Sequence, residues 1–401
     1  MSLFLSVVPV SETVATVHRL TVQVPQETVP LAEACGRVLA DDVHADVDIP
    51  GFTRSVMDGY AVRAGDTTGA GDAVPAILAL RGRIQMGQTP DLPVKKGECI
   101  YIPTGGILPE GADAVVMAEN TELFGEEVLV KKPVAYGENV VQYNEDFKRG
   151  EVVLSRGRRI SVQDTGVLAA VGCADVPVTT RPKIGILSTG NELVSVTEIP
   201  RTGQVRDVNR YVIAAFVRDH GCVPVTYGIV RDDRAVFETA LARAAGECDA
   251  VLISGGSSKD DRDMAAAVIA ETGEVLIHGV AIAPGKPTII GRCGGVPVIG
   301  LPGHPAATFV VLVAIVRHLL DDMTGSAAPE PVTVTAKLAM NVPSTKGRED
   351  YIRVFVKDGI ATPLFGKSGL LNTLAKSNGV LRVPAGSEGF ESGSQVEIIL
   401  W

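Results

Sequence analysis

The chain has 401 residues, too many for one ordinary domain and enough for about three, of which 46% are hydrophobic and 21% charged. A formal charge of −10 excludes general affinity for nucleic acid or an anionic membrane, which needs clustered Lys and Arg, so an anionic ligand must be held by backbone amides and a few placed cations. The six cysteines, at positions 35, 99, 173, 222, 248 and 293, form no C-x-x-C pair, which argues against a zinc or iron–sulfur site and fits reduced thiols in the cytoplasm.

The N-terminus lacks the basic segment, long apolar core and cleavage site of a signal peptide. Pro30 to Ala40 reads as a helix started by Pro30, with Leu31, Cys35 and Val38 on one face. From Pro50 to about Gly137, short Val/Ile segments alternate with turns such as Gly65-Asp66, Gly97-Glu98 and Pro109-Glu110-Gly111, the texture of a β-rich module. Ser161 caps a predicted helix running to Val171. Between Arg181 and Met323, apolar strands at 183–187, 224–230, 250–253 and 296–299 alternate with helices near 209–219, 234–245 and 264–271. That pattern predicts a doubly wound α/β domain with right-handed crossovers. Ala306 to Leu320 is apolar but interrupted by Arg317 and His318, and is shorter than the roughly 20 residues that cross a bilayer, so it reads as a buried helix. A linker follows near 323–330, and Val332 to Trp401 returns to β texture.

Three of the strands end in glycine-bearing loops: Ser188-Thr189-Gly190-Asn191-Glu192, Ser254-Gly255-Gly256-Ser257-Ser258 and Gly300-Leu301-Pro302-Gly303-His304-Pro305. Were these strands parallel neighbours, all three loops would meet at the sheet edge where α/β domains bind ligands. Backbone N–H groups and helix N-termini there suit an anion.

A second dense stretch, Ser55-Val56-Met57-Asp58-Gly59-Tyr60-Ala61-Val62, reads by itself as a turn before a strand. Joined in order with Thr104-Gly105-Gly106-Ile107-Leu108-Pro109-Glu110-Gly111, Asp207-Val208-Asn209, Pro284-Gly285-Lys286-Pro287 and the three loops, it resembles the MoeA and gephyrin E-domain family of molybdopterin molybdenumtransferases along essentially the whole chain. The resemblance implies a multidomain elongated homodimer. A discontinuous linker and dimerisation domain would span 1–50 and 145–178, a β-rich inserted domain 51–144, a molybdopterin-binding-like α/β domain 179–326 and a C-terminal β-barrel-like domain 327–401. The implied reaction takes adenylylated molybdopterin and molybdate, releases AMP with the help of Mg²⁺, and leaves the metal on the dithiolene. Docking of other molybdenum cofactor synthesis proteins is implied too. A molybdopterin adenylyltransferase and a non-catalytic molybdopterin-binding scaffold are the alternative readings, because fold alone does not fix function.

On that resemblance Asp58, Thr104, Glu192, Asp232 and Asp263 are the catalytic candidates, with Asp58 and Glu192 as metal ligands, since hard cations take oxygen. Substrate falls to Ser188, Thr189, Gly190, Ser254, Gly255, Gly256, Ser258, Lys286, Pro302, Gly303, Pro305 and Arg348. Structural readings compete. Glu192 suits the first turn of a helix, Asp232 suits a cap for the helix near Arg234, and Asp263 suits a solvated charged face. Lys286, Arg348 and Arg353 suit plain surface positions. His304 reads as a residue that shapes its loop through a hydrogen bond rather than as an acid or base.

Departures from the family pattern are Arg54, which places a cation near Asp58 able to lower its proton affinity, Val141 and Asn144 around Glu145-Asp146, Lys259 and Asp260 after the middle loop, and Ala283 where a lysine is common. Molybdate and tungstate are too alike in size and charge for residues to separate, so tungstate stays open as substrate.

Overall fold

The computed structural model describes residues 7–22, 24–255, 259–327 and 331–401, and the side chains of 259–263 lie outside that description. Six hydrophobic clusters and three six-stranded sheets organise the described residues.

The N-terminal helix Val10–Arg19 packs Val10 and Val17 into the core of the α/β domain, far along the chain. Residues 26–45 and 150–179 then share one small core, with strand Gln26–Pro30 antiparallel to Asp175–Thr179. The helix expected over Pro30 to Ala40 is only a 3₁₀ turn, Leu31–Glu33. Pro30 ends a strand instead of starting a helix, and that pairing prevails over the apolar spacing. The helix Val162–Ala170 forms with a full capping box between Ser161 and Asp164.

Between these segments a six-stranded sheet forms the inserted module, in the order 114–117, 59–62, 98–102, 76–83, 127–130, 121–124. Strand Gly59–Val62 is buried along its length. A β-carbon on Gly59 would lie 2.0 Å from Val116 O, so the glycine after Asp58 is demanded by the neighbouring strand.

The α/β domain contains strands β1 (Lys183–Thr189), β2 (Val223–Val230), β3 (Ala250–Gly255), β4 (Gly273–His278), β5 (Ile289–Cys293) and β6 (Val296–Leu301). The sheet order is β2-β1-β3-β6-β5-β4. Contacts β1–β2, β1–β3 and β3–β6 are parallel, and β4–β5 and β5–β6 are antiparallel. The three loop-bearing strands β1, β3 and β6 are therefore consecutive and parallel, and their carboxyl ends share one edge. Helices Asn209–Asp219, Arg234–Glu247 and Lys259–Thr272 make the crossovers. A helix from Pro305 runs through a π segment at 312–316 to Thr324, buried along most of its length. Among the described residues no helix is long and apolar enough to cross a membrane.

The last region contains β7 (Thr333–Leu338), β8 (Glu349–Lys357), β9 (Ile360–Pro363), β10 (Gly379–Val383) and β11 (Gln395–Leu400). Pairing runs β8-β9-β7-β11-β10 and returns to β8, which closes a five-stranded barrel. The pair Ile282–Ala283 adds in parallel to Glu349–Asp350 and stitches the barrel to the α/β domain.

Candidate functional site

Register brings the strand-end loops together. Ser188 pairs with Ser254 and Thr189 with Gly255, while Ser254 pairs with Leu301. Gly255 has φ +151°, and a β-carbon there would lie 2.1 Å from Thr189 O and Oγ1. The first two loops are thus packed backbone on backbone. Asn209 joins the second to the third: its Nδ2 donates to Ser254 Oγ and to Gly303 O, both at 2.8 Å. Ser188 Oγ and Asn209 Oδ1 are buried without hydrogen-bond partners among the described residues, which marks the junction as a polar site.

Helix N-termini serve these loops unequally. The chain enters helices directly after the second and third loops, but after Glu192 it makes short strands at Leu193–Val194 and Val205–Arg206 before Asn209. Glu192 is therefore not a first-turn acid. Its exposed carboxylate folds back over Gly190, where a β-carbon would meet Oε2 at 2.7 Å. Asp232 is not the helix cap either; Asp233 is, accepting from Val236 N–H at 3.0 Å. Asp232 Oδ2 instead accepts from Asn191 N–H at 2.9 Å, and Asp232 N–H donates to Asn191 Oδ1 at 3.3 Å. That exchange holds the first loop against the end of β2. Gly256 and Ser258 lie outside the described residues, as do the side chains of Lys259, Asp260 and Asp263.

Asp58 and Thr104 meet on the inserted module. Asp58 Oδ1 accepts from the Thr104 N–H at 2.7 Å and from its hydroxyl at 2.9 Å, and both residues are exposed. These two bonds, the backbone one foremost, hold the Asp58 carboxyl below its ordinary range. Arg54 does not do this work, contrary to expectation: it lies in a short strand paired with Val141, and Thr104 accounts for the shift.

A second site opens at the seam with the barrel, a cavity of about 600 Å³ lined by Lys286, Pro302, Gly303, His304, Lys346, Arg348 and Ser368, among others. Three cations, Lys286, Lys346 and Arg348, line it. Arg348 Nε lies 3.0 Å from Asp350 Oδ1, and His304 Nδ1 lies 2.8 Å from Ser368 Oγ. Lys286 and Arg348 are thus cavity residues. Arg353 is buried at 5% exposure, donates to Gly366 O at 3.1 Å, and burial lowers its proton affinity. Pro305 begins the long helix behind this loop. Asn209, Lys346 and Ser368 have no assigned role in the sequence reading. Only Asn209 carried a signal, as part of Asp207-Val208-Asn209.

This arrangement defines a class: a multidomain α/β protein with a glycine-lined sheet edge beside a cation-lined seam to a β-barrel. Three family models match in succession, "MoeA N-terminal region (domain I and II)" over residues 8–172, "Probable molybdopterin binding domain" over 185–322 and "MoeA C-terminal region (domain IV)" over 335–401. A molybdopterin molybdenumtransferase of Bacillus subtilis (strain 168) is 32% identical over 403 aligned residues, covering 98% of this chain and 94% of its own. One from Nostoc sp. is 32% identical, covering 96% and 90%. The crystal structure of the molybdopterin biosynthesis moeA protein from Pyrococcus horikoshii OT3 superposes with a TM-score of 0.87 at 34% identity, covering 99% of this chain and 100% of that one. The chain belongs to the MoeA family of molybdopterin molybdenumtransferases.

Proposed function

We propose that this chain inserts molybdate into adenylylated molybdopterin with release of AMP, the last step of molybdenum cofactor synthesis, with tungstate as the alternative oxyanion for the same site. One observation carries the reading: the sheet edge and the cation-lined seam share the loop 302–304, so a phosphorylated ligand and a small oxyanion can be held side by side. The loops of Ser188, Thr189, Gly190, Ser254, Gly255, Gly256 and Ser258 hold the pterin and nucleotide phosphates through backbone amides. Pro302, Gly303 and Pro305 form the shared wall. Lys286 and Arg348, aided by Lys346, supply the charge that a tetrahedral dianion requires.

Asp58 and Glu192 are the metal ligands of this reading, with Thr104 orienting Asp58. Both are exposed carboxylates, the hard oxygen donors that suit Mg²⁺. When bound, the cation neutralises charge on the departing AMP phosphate. Asp232 holds Asn191 and so the shape of the first loop, and Asp263 assists from the third crossover helix, Lys259–Thr272. Because Asp58 and the strand-end loops sit on separate domains, we place the working protein as a homodimer that closes the cleft between them. The free cysteines suit the cytoplasm. Incubation with adenylylated molybdopterin, Mg²⁺ and molybdate should release AMP and leave molybdenum on the pterin; tight pterin binding without AMP release would refute the reaction.

A further inference from the structure

His304 and Ser368 both line the seam cavity and meet there, one from the α/β domain and the other from the barrel region. Besides the 2.8 Å contact between His304 Nδ1 and Ser368 Oγ, the Ala306 N–H donates to Ser368 O at 3.1 Å. The next residue, Gly369, packs on the same imidazole, since a β-carbon there would meet its Cδ2 at 3.7 Å. His304 occupies the cap position of the helix from Pro305, yet its side chain makes no capping bond. The ring is therefore not engaged in holding the helix.

We propose that His304 is a positioning residue for the oxyanion: through Nδ1 it fixes Ser368 so that the serine hydroxyl points into the cavity, locking barrel and α/β domain at the spacing the anion requires. This rests on reading the cavity as the oxyanion pocket. A serine hydroxyl has one proton and two lone pairs. When the imidazole Nδ1–H donates to Oγ, the hydroxyl proton is left for the anion. Lys286 and Arg348 bring charge on long stems, and a short hydroxyl donor held from behind adds a fixed direction at the anion. The same contact couples the pocket to the loop 302–304, so the oxyanion is held in register with the phosphate-binding edge.

The full-length protein is tested by titrating molybdate in the AMP-release reaction, and directly by calorimetry. His304→Ala should raise the KM for molybdate about tenfold, the scale of one lost charge-assisted hydrogen bond, with kcat within about twofold of the parent. His304→Asn, whose amide nitrogen reaches about where Nδ1 lies, should restore binding; His304→Gln, which extends toward Nε2, should not. Ser368→Ala should match His304→Ala, and the double variant should be no worse than either. Thermal melts of the Asn and Gln variants should coincide, so a difference in molybdate binding between them is not a folding effect. Equal rescue by Asn and Gln, an additive double variant, or an unchanged KM in His304→Ala while Lys286→Ala and Arg348→Ala raise it would overturn the proposal. Should Lys286→Ala and Arg348→Ala also leave the KM unchanged, the oxyanion pocket itself is misplaced.

Discussion

Gly255 and Thr189 approach so closely that no β-carbon fits between them, because one on Gly255 would sit 2.1 Å from the Thr189 carbonyl oxygen. Gly255 also adopts φ +151°. Gly255→Ala meets both obstacles, and the backbone conformation alone costs about 1–3 kcal/mol. Urea unfolding should show the loss, and AMP release should fall further than stability explains, since β1 and β3 must separate at the ends proposed to hold the phosphates. A variant with parental activity would show that this contact does not shape the site.

Asn209 acts across the same edge. Its Nδ2 is the donor for Ser254 Oγ and Gly303 O, and Asn209→Ala leaves both acceptors in a largely buried junction, at a cost of about 1–3 kcal/mol. Loosening the second loop from the third should raise the KM for adenylylated molybdopterin more than it lowers kcat. Asn209→Asp should be worse than Ala, because a carboxylate cannot donate to either oxygen. Steady-state kinetics of the pair decide this, and an Asp variant equal to the parent would exclude the bridging role.

The parallel edge was legible because β1, β3 and β6 are apolar on both faces and punctuated by glycine, the pattern of buried parallel strands. The antiparallel pair β4 and β5 is not legible in the sequence, since Gly273–His278 is half exposed and follows the helix ending at Thr272 directly, with Gly273 as the single break between them. Asp232 and Asp233 are adjacent, and only geometry assigns the cap to one and the loop contact to the other. The seam cavity was least legible. Lys286, Lys346 and Ser368 come from segments far apart in sequence, and nothing local to any of them signals that the pair Ile282–Ala283 joins the barrel.

Thr104 tunes Asp58. The folded-state value of Asp58 lies below its ordinary 3.8, owing first to the Thr104 N–H and then to its hydroxyl. A depressed carboxylate contributes stability that is present above its unfolded value and lost as pH falls through the folded one. Asp58 thus stays ionised through the ordinary carboxylate range. Thr104→Val removes the hydroxyl bond but keeps the backbone one, so the Asp58 titration should move partway back toward 3.8, and the acid limb of AMP release should move up with it. Carboxyl-carbon NMR titration of both proteins reads this directly; an unmoved Asp58 would mean the hydroxyl contributes nothing.

His318 gives stability a pH dependence of its own. Burial first, then Arg317 and His18, lower it from an ordinary 6.5 to about 4, while the His18 and His318 rings meet edge-on with centroids 5.4 Å apart and His18 Nδ1 lies 2.6 Å from Asp322 Oδ2. Between these two values the unfolded chain binds a proton that the folded chain refuses. Stability therefore falls as pH drops from about 6.5 to about 4 and levels off below. Asp321 works in the opposite sense, because burial raises its carboxyl above 3.8 and the folded chain retains a proton there that the unfolded chain releases. Comparison with His318→Gln cancels the Asp321 contribution. The difference in urea midpoint between parent and variant should shrink or change against the parent as pH falls from 6.5 to 4, and a difference that stays constant across that interval would show that His318 titrates normally in the folded protein.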